Sequence, residues 1–235
     1  MTSQLELVED ISNYIVLNVL QRHMVASVEK HSLLDSYKTN PIVVKYLSKL
    51  ISGGDSPEGI ARALYLPRVL GTSINTSFGT NVQKMFIDLG LASGSMISGM
   101  DIEFEDRKDG RMKWCQIKSG PNTINSEDVA PLIRKFTTVI NLARTNNAFT
   151  NVRNSDFMIG VLYGETQELS MHYRVIDRTY PVVIGREFWE RVTGYPNLYP
   201  HLEIAIHKKI ANLETEGILE EGVRRLTAEI KSRLF

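Results

Sequence analysis

The sequence has almost nothing with which to cross-link itself: among 235 residues, Cys115 is the one cysteine. That excludes an intrachain disulfide and any zinc cluster built on several cysteines, and it fits a reducing compartment. An excess of either charge is also missing, because 27 basic residues balance 27 acidic ones. Net charge therefore gives no argument for a polyanionic partner, and any nucleic-acid surface has to be local. No run approaches the roughly 20 apolar residues that span a bilayer, and the opening MTSQLELVED has no basic segment followed by an apolar one. The expectation is a soluble, cytoplasmic protein with no membrane association. Neither GxGxxG nor GxxxxGK followed by Ser or Thr occurs, so Rossmann and P-loop sites have no motif behind them. The histidines are scattered, and His201 and His207 fall on different faces of an expected helix, which leaves zinc hydrolase chemistry without a ligand set.

What is present suffices for a full core, at 43% hydrophobic residues. The first part reads as helices over about 4–22 and 41–52, and a third opened by Ser56-Pro57-Glu58, where Ser56 suits the N-cap and proline the first helical position. A longer apolar pattern runs on to Leu91, with Gly71 and Gly79 as candidate interruptions. The character changes at Ser98-Gly99. Met100, Ile102 and Phe104 alternate with Asp101, Glu103 and Glu105, the period of two of a half-buried strand. Asp109-Gly110 signals a hairpin turn and Met112 to Lys118 resumes as an antiparallel strand. Asn125 with Asp128 resembles a capping box for a helix reaching about Asn146, in which Pro131 predicts a kink or a late start. Phe157–Tyr163, Leu169–Ile176 and 181–184 read as strands, followed by a helix holding Phe188 and Trp189 as core residues. From Leu202 the chain reads as helical, with breaks expected near Gly217 and Gly222. The fold class expected is α/β, a mixed central sheet flanked by helices, in one domain over 1–235. It divides into a helical N-terminal region (1–70), an α/β core (71–200) and C-terminal helices (201–235).

Alternate strand residues share a face, so Gln116 and Lys118 of Gln-Ile-Lys project together while Ile117 turns to the core. Asp101 lies across the hairpin. A carboxylate, an amide oxygen and the backbone carbonyl of Ile117 suit a hard cation such as Mg2+, with the Lys118 ammonium beside an attacking water. Bound metal makes water a better nucleophile and neutralises charge on a phosphoryl group, so phosphodiester hydrolysis is the natural reaction. An amphipathic strand with a wet acidic face explains Asp101, Glu103 and Glu105 without any site.

The segment DIEFEDRKDGRMKWCQIKSGPNTIN, from Asp101 to Asn125, resembles the catalytic segment of PD-(D/E)XK type II restriction endonucleases. IKSGPNTIN is especially similar to a family that recognises GG/CC-containing palindromes. A looser likeness runs from about Gly71 to Tyr199 through SFGTNVQK, VLYGE and GREFWERVTG. The resemblance implies a restriction-endonuclease-like fold over a single endonuclease domain. It implies Asp101 as the metal-binding aspartate, Gln116 at the (D/E) position and Lys118 as the catalytic lysine. It further implies Mg2+ as cofactor, double-stranded DNA as substrate, a homodimer, and a methyltransferase that protects host DNA without binding this protein. Two departures stand out: methionine precedes Asp101 where the pattern has proline, and Gln116 replaces an acid, giving a QxK form. Glutamine supplies oxygen without charge, and Glu103, on the same strand face as Asp101, is the nearest further carboxylate; helix residue Asp88 has no support from spacing.

Around this centre, Ser119, Asn122, Thr123 and Asn125 carry donors and acceptors suited to phosphates or base edges. Turn formation and helix capping account for them as well, Asn125 in particular. Residues 129–154 hold Arg134, Lys135, Arg144 and Arg153 without an acid, a candidate grip on the DNA backbone or a solvated face. Lys108, Arg111 and Lys113 flank the hairpin turn, with Lys113 a candidate DNA contact, and Gln83 lies on a helix expected near the site or facing solvent. Two alternatives stay open: a repair, methyl-directed or junction-resolving nuclease with the same centre, and a non-catalytic DNA-binding protein in which Gln116 marks a lost metal site.

Overall fold

The computed structural model describes residues 3–38, 40–145 and 152–234. Their contacts divide into two units, one from the described residues of 1–12 and 81–207, the other from those of 13–80 and 208–235.

The first unit holds a five-stranded sheet in the order β1 (Ser93–Gly94), β2 (Ile102–Glu105), β3 (Met112–Lys118), β4 (Phe157–Val161) and β5 (Val182–Ile184). β1, β2 and β3 are antiparallel neighbours, whereas β3, β4 and β5 run parallel, so the sheet is mixed, as expected. The β2–β3 hairpin turns where the sequence predicts, with Gly110 at φ +66° and its N–H on the Asp106 carbonyl at 2.8 Å. Between β3 and β4 runs α6 (Ser126–Thr145), the crossover that a parallel pair needs. Leu132, Phe136 and Ile140 of α6 join Trp114, Phe157, Ile159 and Val161 in one buried cluster. Within it Trp114 stacks on Phe157 at 5.1 Å, worth about 1 kcal/mol beyond burial. Phe104 and Gly160 line the opposite face. A side chain at Gly160 would put its β-carbon 2.2 Å from Phe188 Cε2, so the bare glycine lets Phe188 of α8 (Gly185–Thr193) lie against β4. Phe188 and Trp189 are buried core residues, and Trp189 Nε1 donates to Leu162 O at 2.9 Å.

One expectation fails here. Leu169–Ile176 is not a strand: Met171–Asp177 is helix α7. The buried residues Leu169, Tyr173, Ile176 and Tyr180 recur every three or four positions, which is helical spacing, and a short apolar run alone does not distinguish the two periods. The late start that Pro131 offered as one of two outcomes is not taken, because α6 starts at Ser126 and runs through the proline. The expected end at Asn146 lies outside the described residues. The two-residue β1 had no signal long enough to read.

The second unit is helical, and three of the helices described next begin or end in the first unit. Here α2 (Arg22–His31) follows π-helical turns over Ile15–Gln21 that continue α1 (Gln4–Tyr14), so the first helical stretch outruns its expected end at 22. α3 (Pro41–Ser52) is capped by Asn40, which accepts from Ile42 N at 3.0 Å, and ends at Gly53 with φ +72°. α4 (Pro57–Pro67) is capped by Ser56, which accepts from Gly59 N at 3.0 Å. Further π-helical turns, Arg68–Ser73, lead into α5 (Ile74–Asp88), where Gly79 causes no break. At the far end of the chain α9 (Leu198–Ile210) and α10 (Ile218–Leu234) separate at Gly217, φ +74°, while Gly222 stays helical beneath the Tyr65 ring. Ile60, Leu64, Tyr65, Val223, Leu226 and Ile230 form this unit's core. Among the described residues no helix is long and apolar enough to cross a membrane.

Candidate active site

The β2–β3 register pairs Ile102 with Cys115 and Glu103 with Trp114. Extended by one residue, it sets Asp101 opposite Gln116. Asp101 is tied down at three points: its N–H donates to Cys115 O at 2.9 Å, its Oδ2 accepts from Ile117 N at 2.7 Å, and its carbonyl accepts from Gln83 Nε2 at 3.1 Å. Trp114 faces the α6 cluster, so Gln116 and Lys118, two and four residues on, project from that same face. Ile117 is half-buried on the other face, opposite Gly160. Asp101, Gln116 and Lys118 therefore meet at one end of one sheet face.

Two properties of this cluster are unfavourable unless something charged joins it. Among the described residues Gln116 Oε1 is buried without a hydrogen-bond partner, a defect that costs about 1–3 kcal/mol in a folded protein. The Asp101 carboxyl is raised from its ordinary value by burial, which outweighs the Ile117 N–H and the charges of Lys118 and Lys135. A hard cation would relieve both, stabilising the carboxylate and occupying the orphaned amide oxygen. The donor set is nonetheless thin. Glu103 Oε1 turns to Ser95 Oγ (2.7 Å) and Met96 N (3.1 Å), and no group of three His, Cys, Asp or Glu side chains converges among the described residues. One carboxylate, one amide oxygen and a strand carbonyl fit an ion that keeps most of its waters, as Mg2+ does.

The other expected contacts divide by what they touch. Ser119 is half-buried and Asn122 exposed at the exit of β3. Thr123 Oγ1 is engaged with Gly120 O (3.0 Å) and Tyr173 Oη (2.8 Å). Asn125 caps α6, accepting from Glu127 N (2.8 Å) and Asp128 N (3.2 Å), while Asp128 accepts from Asn125 N at 2.8 Å. That is the capping box expected of it. Arg134 is exposed on α6, and the side chain of Arg144 lies outside the described residues.

Lys113 is a correction. Its side chain is 2% exposed and its ammonium meets Asp109 (2.7 Å), Asp156 (3.1 Å) and the Ser155 carbonyl (3.3 Å). Arg111 binds the same Asp156, with Nε to Oδ1 at 2.8 Å. Lys113 shares the inward face of Cys115, and a cation buried there must find carboxylates. The cluster pins the start of β3 to the start of β4 and removes Lys113 from the DNA-binding candidates.

Lys135 approaches the centre more closely than the sequence indicates. It is half-buried on α6, and its aliphatic chain crosses Gly99, where a β-carbon would fall 1.5 Å from Cε and 2.3 Å from Nζ. Its charge is felt at Asp101. Gln83, which by pattern reads more readily as an exposed helix residue, instead grips the Asp101 backbone. Both contacts join segments distant in sequence, and no local pattern reports them.

A protein-family model described as type II restriction endonuclease EcoO109I matches residues 11–213. The matched stretch contains Asp101, Gln116, Lys118 and the residues around them. No curated protein matches the chain.

Proposed function

The chain belongs to the EcoO109I family of type II restriction endonucleases, and from that premise we propose that it hydrolyses both strands of double-stranded DNA at a specific palindrome in a Mg2+-dependent reaction of the PD-(D/E)XK type. The mixed α/β architecture, with its five-stranded sheet, agrees with a restriction-endonuclease-like fold. The observation that carries the residue assignment is the buried, unpartnered Gln116 Oε1 across the hairpin from Asp101. Asp101, Gln116 and the carbonyl of Ile117 would hold the metal, with Glu103 reaching it only by leaving Ser95 and Met96. When bound, the ion supplies acidity to water and positive charge to the phosphodiester.

This chain's residues do the rest. Gln83 and the Ile117 N–H fix the backbone and carboxylate of Asp101, so that the metal-binding oxygen is oriented before substrate arrives. Lys118, on the same face, holds its ammonium beside the attacking water and offsets negative charge gathering on the phosphoryl oxygens. Ser119 and Asn122 at the strand exit are the best placed for phosphate or base edges; Thr123 and Asn125 would contribute only by exchanging the bonds they already make. Arg134 and Lys135 of α6 supply positive charge toward the DNA backbone. The reading includes one endonuclease domain over 1–235, a homodimer with one centre for each strand, a GG/CC-containing site, and a methyltransferase as functional partner in the cytoplasm.

A second reading draws on Gln116 itself: with no acid at that position, the chain would bind DNA without cutting it, or act on branched DNA. Plasmid substrates separate these. Linearisation of unmethylated supercoiled plasmid at a fixed site supports restriction; nicking without linearisation, or cleavage confined to a four-way junction, supports repair or resolution. Binding with no cleavage in Mg2+ or Mn2+ supports the non-catalytic alternative.

A further inference from the structure

Lys135 carries an inference beyond a grip on the DNA backbone, and it rests on the nuclease reading above. The residue sits on α6 between buried Leu132 and Phe136, so the helix has no freedom to roll it outward. Its chain crosses Gly99, which adopts φ +92° and has no side chain to block the path. Asp101 is two residues beyond Gly99 and lies within the electrostatic reach of both Lys118 and Lys135. The centre thus combines one carboxylate and two ammonium groups, with a neutral amide at Gln116. A carboxylate at that position would have balanced the second lysine.

We infer that Lys135 is a second active-site cation, binding a non-bridging oxygen of the scissile phosphodiester and providing the phosphate neutralisation that a thin metal-donor set provides poorly. The same ammonium that attracts phosphate repels a metal ion. Removing it therefore drives two measurable quantities in opposite directions, which loss of structure does not do.

The test uses the full chain with Lys135→Met, which keeps the aliphatic path over Gly99 and removes the charge, and Lys135→Arg, which keeps the charge. Calorimetric titration of DNA-free protein with Mn2+ reads metal affinity. Single-turnover cleavage at saturating protein and Mn2+ reads the chemical step. Lys135→Met is expected to bind Mn2+ about three- to tenfold more tightly, as loss of one nearby like charge predicts. It should cleave about a hundredfold more slowly, the usual cost of losing one donor to a transition-state oxygen. Lys135→Arg should keep the wild-type Mn2+ affinity and recover most of the rate. Unchanged Mn2+ affinity with cleavage within threefold of wild type overturns the inference. So does a rate loss seen only at subsaturating protein and absent at saturation, which would make Lys135 a peripheral phosphate clamp. A wild type that neither binds Mn2+ nor cuts DNA overturns the nuclease reading and this inference together, whereas an active wild type with an indifferent Lys135→Met overturns this inference alone.

Discussion

Replacing Asp156 by Asn tests whether the buried ion cluster at the foot of β3 holds the catalytic strand in place. Asp156 is 1% exposed and receives Arg111 Nε at 2.8 Å, Arg153 N at 2.9 Å and Lys113 Nζ at 3.1 Å. Burial alone would raise its carboxyl, but the bonds from Arg111, the Arg153 N–H and Lys113 prevail and hold it at about 2 against an ordinary 3.8. Because the folded value is the lower one, the stabilisation is full above the ordinary carboxylate range and is lost as pH falls from about 4 toward 2; it amounts to about 2 kcal/mol. Asn forfeits that and leaves the Lys113 ammonium buried with Asp109 as its one remaining carboxylate, bringing the expected loss at neutral pH to about 3–4 kcal/mol. Urea unfolding followed by tryptophan fluorescence reads it, since Trp114 stacks on Phe157 next to the cluster. The gap between wild type and Asp156→Asn should narrow as pH falls below 4. A double variant, Lys113→Met with Asp156→Leu, should recover much of the loss, because no charge is then buried alone at position 113. A loss below about 0.5 kcal/mol at neutral pH, or a gap that does not change with pH, would refute the reasoning.

Three further variants have outcomes that follow from the same structure. Gln116→Glu adds charge where an amide oxygen now lies buried and unpartnered, and should tighten Mn2+ binding to the DNA-free protein about tenfold, measured by calorimetry. Asp101→Asn should abolish cleavage while leaving DNA affinity in Ca2+ within a few fold. Since burial raises the Asp101 carboxyl in the folded state, that charge destabilises the protein at neutral pH and not below the ordinary carboxylate range, so Asp101→Asn should melt at or above the wild-type temperature at pH 8 and lose the advantage at pH 4. Asn125→Ala removes the α6 cap and should cost about 1 kcal/mol in urea unfolding.

Short-range chemistry made much of this legible in the sequence. The alternation from Met100 to Glu105, the Asp109-Gly110 turn and the Gln116–Lys118 spacing each reflect a local rule, and the hairpin follows from them. Ser56 and Asn125 cap helices because their side chains satisfy free N–H groups only a few residues away. What stayed hidden is long-range or ambiguous in period. Leu169–Ile176 is apolar enough for either element, and the helical period shows only once Leu169, Tyr173 and Ile176 are singled out as the buried positions. Lys113 reads as a hairpin-tip cation until Asp156, 43 residues on, is brought beneath it. Lys135 reads as one more basic residue on a helix until Gly99 opens a path toward Asp101. The candidate centre was therefore visible as a triplet, and its electrostatic setting was not.

Digestion of unmethylated phage DNA by the purified chain with Mg2+, beside Asp101→Asn and EDTA controls, tests the central claim most directly. Discrete fragments with one common end sequence, absent from both controls, are the predicted result. DNA left intact at high protein concentration, or fragments that persist with Asp101→Asn, would contradict the assignment of a metal-dependent restriction site to Asp101, Gln116 and Lys118.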